Sequence, residues 1–239
     1  MAQPKKSGKG GTATRKTAKG GHRSVIPPDE LNRTDRRQDI LRSAELLFSQ
    51  RGYHAVPVRD IAEHANVPLA LVGYYFGKKH ELLQTIFEHR KSNITERIEG
   101  IRKVDCSSKN HHAVEDIIRA WLEPVVRLSD SPDDQPFPIL VARVTWEPGV
   151  EARYVISAYY DQLAEVFIDT MCKVLPGVHR DKVVWAYEFS LGALLMLVAD
   201  TRVERLSRHG AKSGDRSQSD YLTGFLTAGF LSALSRGKK

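Results

Sequence analysis

Residues 58 to 83, VRDIAEHANVPLALVGYYFGKKHELL, constrain the fold more than any other stretch. Val58, Ile61, Ala62 and Ala65 recur at helical spacing, Asn66 and Val67 interrupt the pattern, and Leu69, Val72 and Phe76 resume it. Two apolar stripes separated by so short a break must pack against each other. That is the geometry of a helix-turn-helix, whose second helix can enter the major groove of duplex DNA.

The surrounding pattern is helical throughout. Before the motif, Ile40, Leu41, Ala44, Leu47 and Phe48 form one stripe of an amphipathic helix over Arg36 to Gln50, which Gly52 stops. After it, a long connecting helix is predicted from about Lys78 to about Lys103. The next helix carries Val114, Ile117, Ile118, Trp121, Leu122, Val125 and Val126 and should bend at Pro124. A loop over Ser131 to Pro138 precedes a short helix from Ile139 to Trp146, then long helices over Val150 to Leu175 and His179 to Leu206. A polar loop, Arg208 to Gln218, leads to a last helix from Asp220 to Leu234. Strand alternation, internal repeats and phosphate-cradling glycine loops are absent. The expected fold is all-α: a basic tail (1–33), a three-helix helix-turn-helix domain (34–83, its connecting helix continuing to about 103) and a helical C-terminal domain (104–239).

The net charge of +7 suggests nucleic acid, but its distribution qualifies that. Lys5, Lys6, Lys9, Arg15, Lys16, Lys19 and Arg23 all precede the first acid, Asp29, and removing these seven leaves the rest formally neutral. The basic balance therefore lies in the tail, whose Lys, Gly, Thr and Ser composition predicts disorder to about residue 28. Such an arm can lie along phosphates, or can simply solubilise the protein. The two cysteines, Cys106 and Cys172, have no metal-ligand spacing and suit a reducing, cytoplasmic compartment. The longest apolar run, Val183 to Ala199, holds Glu188 and is short for a bilayer, so no membrane association is expected.

The run Tyr74, Tyr75, Phe76, Gly77, Lys78, Lys79, with Val67 in the turn, resembles the DNA-binding domain of TetR-family repressors over about residues 36 to 83. The resemblance implies that Lys79 donates to a phosphate from the start of the fourth helix, and that Tyr74 and Tyr75 give hydroxyls to the phosphate backbone. Two positions depart from the family: Pro68 replaces the hydroxyl residue that caps the recognition helix, and Val58 replaces a frequent phosphate contact. The outward face of that helix should carry Leu69, Ala70, Leu71 and Gly73, none able to make bidentate hydrogen bonds to a base. Thymine methyl contacts and close backbone approach at Gly73 remain. Arg59 is the candidate for one strong contact to a guanine, the alternative being a phosphate.

In the C-terminal region no catalytic constellation or metal-ligand cluster stands out, and no enzyme activity, cofactor or metal is expected. The family resemblance implies a small-molecule pocket here. Candidate walls are Trp121, Val125, Ile139, Arg143, Trp146, Tyr159, Leu163 and Phe167. Arg143, in the apolar segment PILVARVTW, needs an anionic partner: a ligand, Glu188 or Glu147. The effector expected is apolar with one polar or anionic end, such as a fatty acyl derivative or an aromatic catabolite. The last two long helices are apolar over more than one stripe, and Gly192, Ala193, Gly224 and Ala228 permit close approach, which suits a homodimer. The chain is thus expected to be a repressor released from a palindromic double-stranded DNA operator by a small effector. The rival expectation is a ligand-independent architectural DNA-binding protein. A helical enzyme or carrier with a vestigial head fits less well with Tyr74 and Lys79.

Overall fold

The computed structural model describes residues 28–235, and every element among them is helical. In chain order these are α1 (Pro28–Arg51), α2 (Val58–His64), α3 (Leu69–Phe76), α4 (Lys79–His89), α5 (Lys91–Arg102) and α6 (Ala113–Val126). A 3-10 turn (Arg127–Asp130) leads to α7 (Pro136–Trp146), α8 (Val150–Val174), α9 (Arg180–Ala199), α10 (Arg202–Leu206) and α11 (Gln218–Ser235). The all-α expectation holds. The expected tail lies, through residue 27, outside the described residues.

Four boundaries differ from the sequence pattern, each for a local reason. α1 starts at Pro28 rather than near Arg36, because proline at a first helical position lacks only a donor that would go unused. In the same way Pro136 opens α7 three residues early. The long connecting helix is two helices: Arg90 leaves helical geometry (φ −92°, ψ 2°) where its guanidinium is drawn to α1 and the loop before α7. The helix expected to run from His179 to Leu206 breaks at Asp200, whose carboxylate accepts from the Arg202 backbone N–H (3.0 Å), an Asx-type turn that competes with helix continuation.

Two apolar cores result. The first joins α1 to α4 through Ile40, Phe48, Ile61, Leu83, Ile86 and Phe87, then takes in Phe137, Leu140 and Val144 of α7 and Val155 of α8. Phe87 is its pivot, with ring centroids 5.6 Å from Phe137 and 5.7 Å from Tyr159. The second core binds α5, α6, α8, α9 and α11 around Trp121, Phe167, Tyr187 and Phe230. The sequence divides the chain near residue 104, but the head's core continues into α7 and α8.

Polar ties reinforce that continuity. Glu147, just past α7, accepts from the backbone N–H groups of Tyr53 (3.0 Å) and His54 (2.7 Å), and His54 Nε2 lies 2.8 Å from the Pro148 carbonyl. Arg90 pairs with Glu45 at 2.7 Å and with Asp134. α9 is, among the described residues, the one helix long and apolar enough to cross a membrane by composition, longer than the run Val183 to Ala199 suggests. One of its faces, with Val183, Tyr187, Leu194 and Val198, is buried in the second core.

Candidate nucleic-acid interface and internal cavity

The turn between α2 and α3 is built by its residues. Asn66 takes the left-handed conformation (φ 53°), its N–H donates to Glu63 O (3.1 Å), and Val67 N–H reaches back to Ala62 O (3.0 Å). This is a Schellman closure, which asparagine tolerates without glycine's freedom. Pro68 then precedes α3 with no side-chain cap. At the other end Gly77 (φ 67°) makes the turn to α4. A Cβ there would come within 2.3 Å of Glu81 Oε2, which accepts from Lys78 N–H (2.6 Å).

α3 buries Val72 and Phe76 and turns Leu69, Ala70, Gly73 and Tyr74 outward, with Leu71 and Tyr75 half-buried. Leu69 is 52% exposed, a large apolar side chain left to solvent among the described residues. A side chain at Gly73 would meet nothing within 4 Å, so the protein's own packing does not require glycine there. Arg59, at the start of α2, has its Nε 2.8 Å from Glu63 on the following turn, both side chains exposed. Such a surface pair is weak, about 0.3–0.5 kcal/mol, and can exchange for a stronger partner. Lys79, expected to donate to a phosphate, has its Nζ 4.5 Å above the Tyr53 ring and 3.4 Å from His54 O. Burial lowers its pKa.

The expected pocket walls fall into four places. Trp121, Leu163 and Phe167 are in the second core, fully buried. Tyr159 is half-buried against Phe87, its hydroxyl donating to Gln84 O (3.3 Å). Ile139, Arg143 and Trp146 line an open groove beside Arg51 and Met196. Arg143 donates to the Ser49 backbone carbonyl, not to Glu147 or Glu188. Val125 alone of the eight lines the internal cavity, a partly open space of about 130 Å³ between α5, α6, α7, α8 and α9.

That cavity has apolar walls, including Phe137, Val141, Ile156, Leu191 and Leu195, and a polar corner of Arg97, Tyr160 and Tyr187. Burial raises the Tyr187 phenol to about 12 and moves Tyr160 in the same direction, so both stay protonated. Arg97 is the residue a reading of the sequence passes over, because Glu96 and Glu99 make its surroundings look solvated. Its spacing is the missed signal: Ile94, Arg97, Ile98 and Ile101 fall at i, i+3, i+4 and i+7, one buried face of α5.

An outward helix with an apolar, sparsely polar face, held by a tight turn on a trihelical head and joined to a cavity-bearing bundle, defines a helix-turn-helix transcriptional regulator. Comparison with known proteins agrees. Residues 40–86 match the family model for bacterial regulatory proteins of the tetR family, and residues 119–229 match the tetracyclin repressor-like C-terminal domain. The chain belongs to the TetR family of transcriptional regulators.

It is 32% identical over 83 residues to the HTH-type transcriptional regulator HbdR of Aromatoleum sp. (strain CIB), covering 33% of this chain and 36% of that protein. It is 31% identical over 75 residues to the HTH-type transcriptional activator FasR of Mycolicibacterium smegmatis, covering 31% and 33%. The matches thus span about a third of the length of these relatives. Among solved structures, a TetR-family regulator from Bordetella parapertussis superposes with TM-score 0.60 at 14% identity, covering 82% of this chain and 96% of that one. The fatty acid degradation regulator FadR from Bacillus halodurans superposes with TM-score 0.57 at 17% identity, covering 81% and 95%. At these identities the likeness concerns the fold.

Proposed function

We propose that the protein binds a palindromic operator as a homodimer, represses transcription from it, and is released by a small apolar effector held in the internal cavity. The observation that carries the DNA reading is the outward face of α3, where Leu69 and Tyr74 stand exposed and Gly73 leaves the backbone open to close approach. Leu69, Ala70 and Leu71 meet thymine methyl groups, Arg59 meets a guanine, and Tyr74, Tyr75 and Lys79 meet phosphates. For Lys79 that contact requires the ammonium to leave the Tyr53 ring.

The dimer reading rests on α9 and α11. Trp185, Phe189 and Met196 form one exposed stripe, Tyr221, Phe225 and Leu231 another, and Gly224, Ala228 and Gly229 lie exposed beside the second. Four helices from two copies cover both stripes and bring two heads to two half-sites. The test is selection of bound sequences from random duplex DNA by the purified protein, followed by a reporter fused to the selected site. A palindromic consensus whose reporter is silenced by the protein supports the reading. Sequence-independent binding would support the architectural alternative instead, and reporter stimulation would make the protein an activator.

A further inference from the structure

The internal cavity contains a buried charge that, among the described residues, no carboxylate contacts. Arg97 is 4% exposed, and its Nε donates to the Trp121 carbonyl (2.7 Å) while its guanidinium lies 5.2 Å over the Trp121 ring. Among the described residues no carboxylate pairs with it; the groups near enough to act on its charge are the phenols of Tyr160 and Tyr187. The contrast is Arg90, also largely buried, which has two carboxylates. A guanidinium keeps its charge even in such surroundings, and a desolvated charge without a counter-charge is costly to keep. Its face and Nε are occupied by Trp121, which leaves the Nη side of the fork.

We infer that Arg97 is the anion receptor of this cavity and that its ligand is a compact apolar molecule ending in a single carboxylate. The inference deepens the effector reading above and rests on it. A planar fork matches a carboxylate, and Tyr160 and Tyr187 can donate their hydroxyls to the same oxygens. Asp161 and Glu188, exposed residues of the same wall, oppose a second negative charge, which disfavours a phosphate ester. Phe137, Val141 and Leu191 receive the apolar body. The volume of about 130 Å³ suits a ring or a short acyl chain, since an apolar cavity of roughly 150 Å³ holds benzene.

The full-length protein is titrated calorimetrically with benzoate, 3-phenylpropionate and octanoate, each beside its primary amide, and operator release is followed in parallel. In the wild type at least one acid binds about tenfold to a hundredfold more tightly than its amide. In Arg97→Met the pair binds equally. If that variant does not fold, Arg97→Lys decides: a reduced preference for the acid supports the inference and an unchanged one overturns it. Equal binding of acid and amide by the wild type, acid preference surviving in Arg97→Met, or no binding by any of the six compounds overturns it. Release of DNA by amides as well as acids loses only the Arg97 assignment, whereas acid binding that depends on Arg97 but leaves DNA bound keeps the receptor and loses the effector reading.

Discussion

Glu45 and Arg90 are the residues on which the join between head and bundle turns. The Glu45 side chain is 5% exposed, and burial pushes its carboxyl above the usual carboxylate range despite the guanidinium beside it. Arg90→Ala leaves that carboxyl buried without its partner, and urea unfolding should show a loss of about 3–5 kcal/mol at neutral pH. The sign with pH follows: a carboxyl raised in the folded state contributes stability below its unfolded value of 4.5, and that contribution is lost as pH rises through the folded value. The deficit should therefore shrink in acid, and a pH-independent deficit would show that packing, not charge, is lost. Arg59→Ala should relax preference at one base pair in each half-site by about 1–3 kcal/mol, measured on a panel of single-base operator variants. Uniform weakening across the panel would make Arg59 a phosphate contact. Side-chain direction is what the sequence hides at this scale. Arg143 stands out within PILVARVTW, yet it faces outward to Ser49 O, whereas Arg97 looks solvated among glutamates and lies in the core.

At the scale of elements, α7 is placed to carry a signal. Phe137, Val141 and Thr145 line the cavity, while Leu140 and Val144 sit in the head's core and Glu147 holds the backbone of Tyr53 and His54. A ligand that displaces α7 therefore displaces the loop between α1 and α2. Glu147→Ala should weaken the effect of ligand on operator affinity by roughly tenfold, within the usual range of coupling energies, while ligand binding itself changes little. Titration of operator release checks this, and unchanged coupling would move the transmission to α4 and α5. Periodicity and turn chemistry made most helices legible, down to Gly52 and Asn66. The break at Arg90 was not, because no glycine, proline or capping residue marks it. It arises from ion pairs to Glu45 and Asp134, forty-five and forty-four residues away in sequence.

For the whole molecule, the proposed dimer is tested at the exposed stripes on α9 and α11. Phe225→Glu, at a position 63% exposed, should leave the fold intact by circular dichroism and yield a monomer by light scattering. Its operator affinity should fall on the order of a hundredfold, the gain of a second tethered half-site. A dimer that persists in both Phe225→Glu and Trp185→Glu would place the interface elsewhere. The excess apolar surface of α9 and α11 was legible in the sequence, but the partition of each helix between buried and exposed faces required the packed bundle. The central claim, that α3 is delivered to duplex DNA twice by one symmetric molecule, is tested most directly by footprinting the purified protein on its selected site. The account predicts two protected half-sites on one face of the duplex, separated by about one helical turn or a multiple of it. Protection of a single half-site, or no protection of any duplex at low ionic strength, would contradict it.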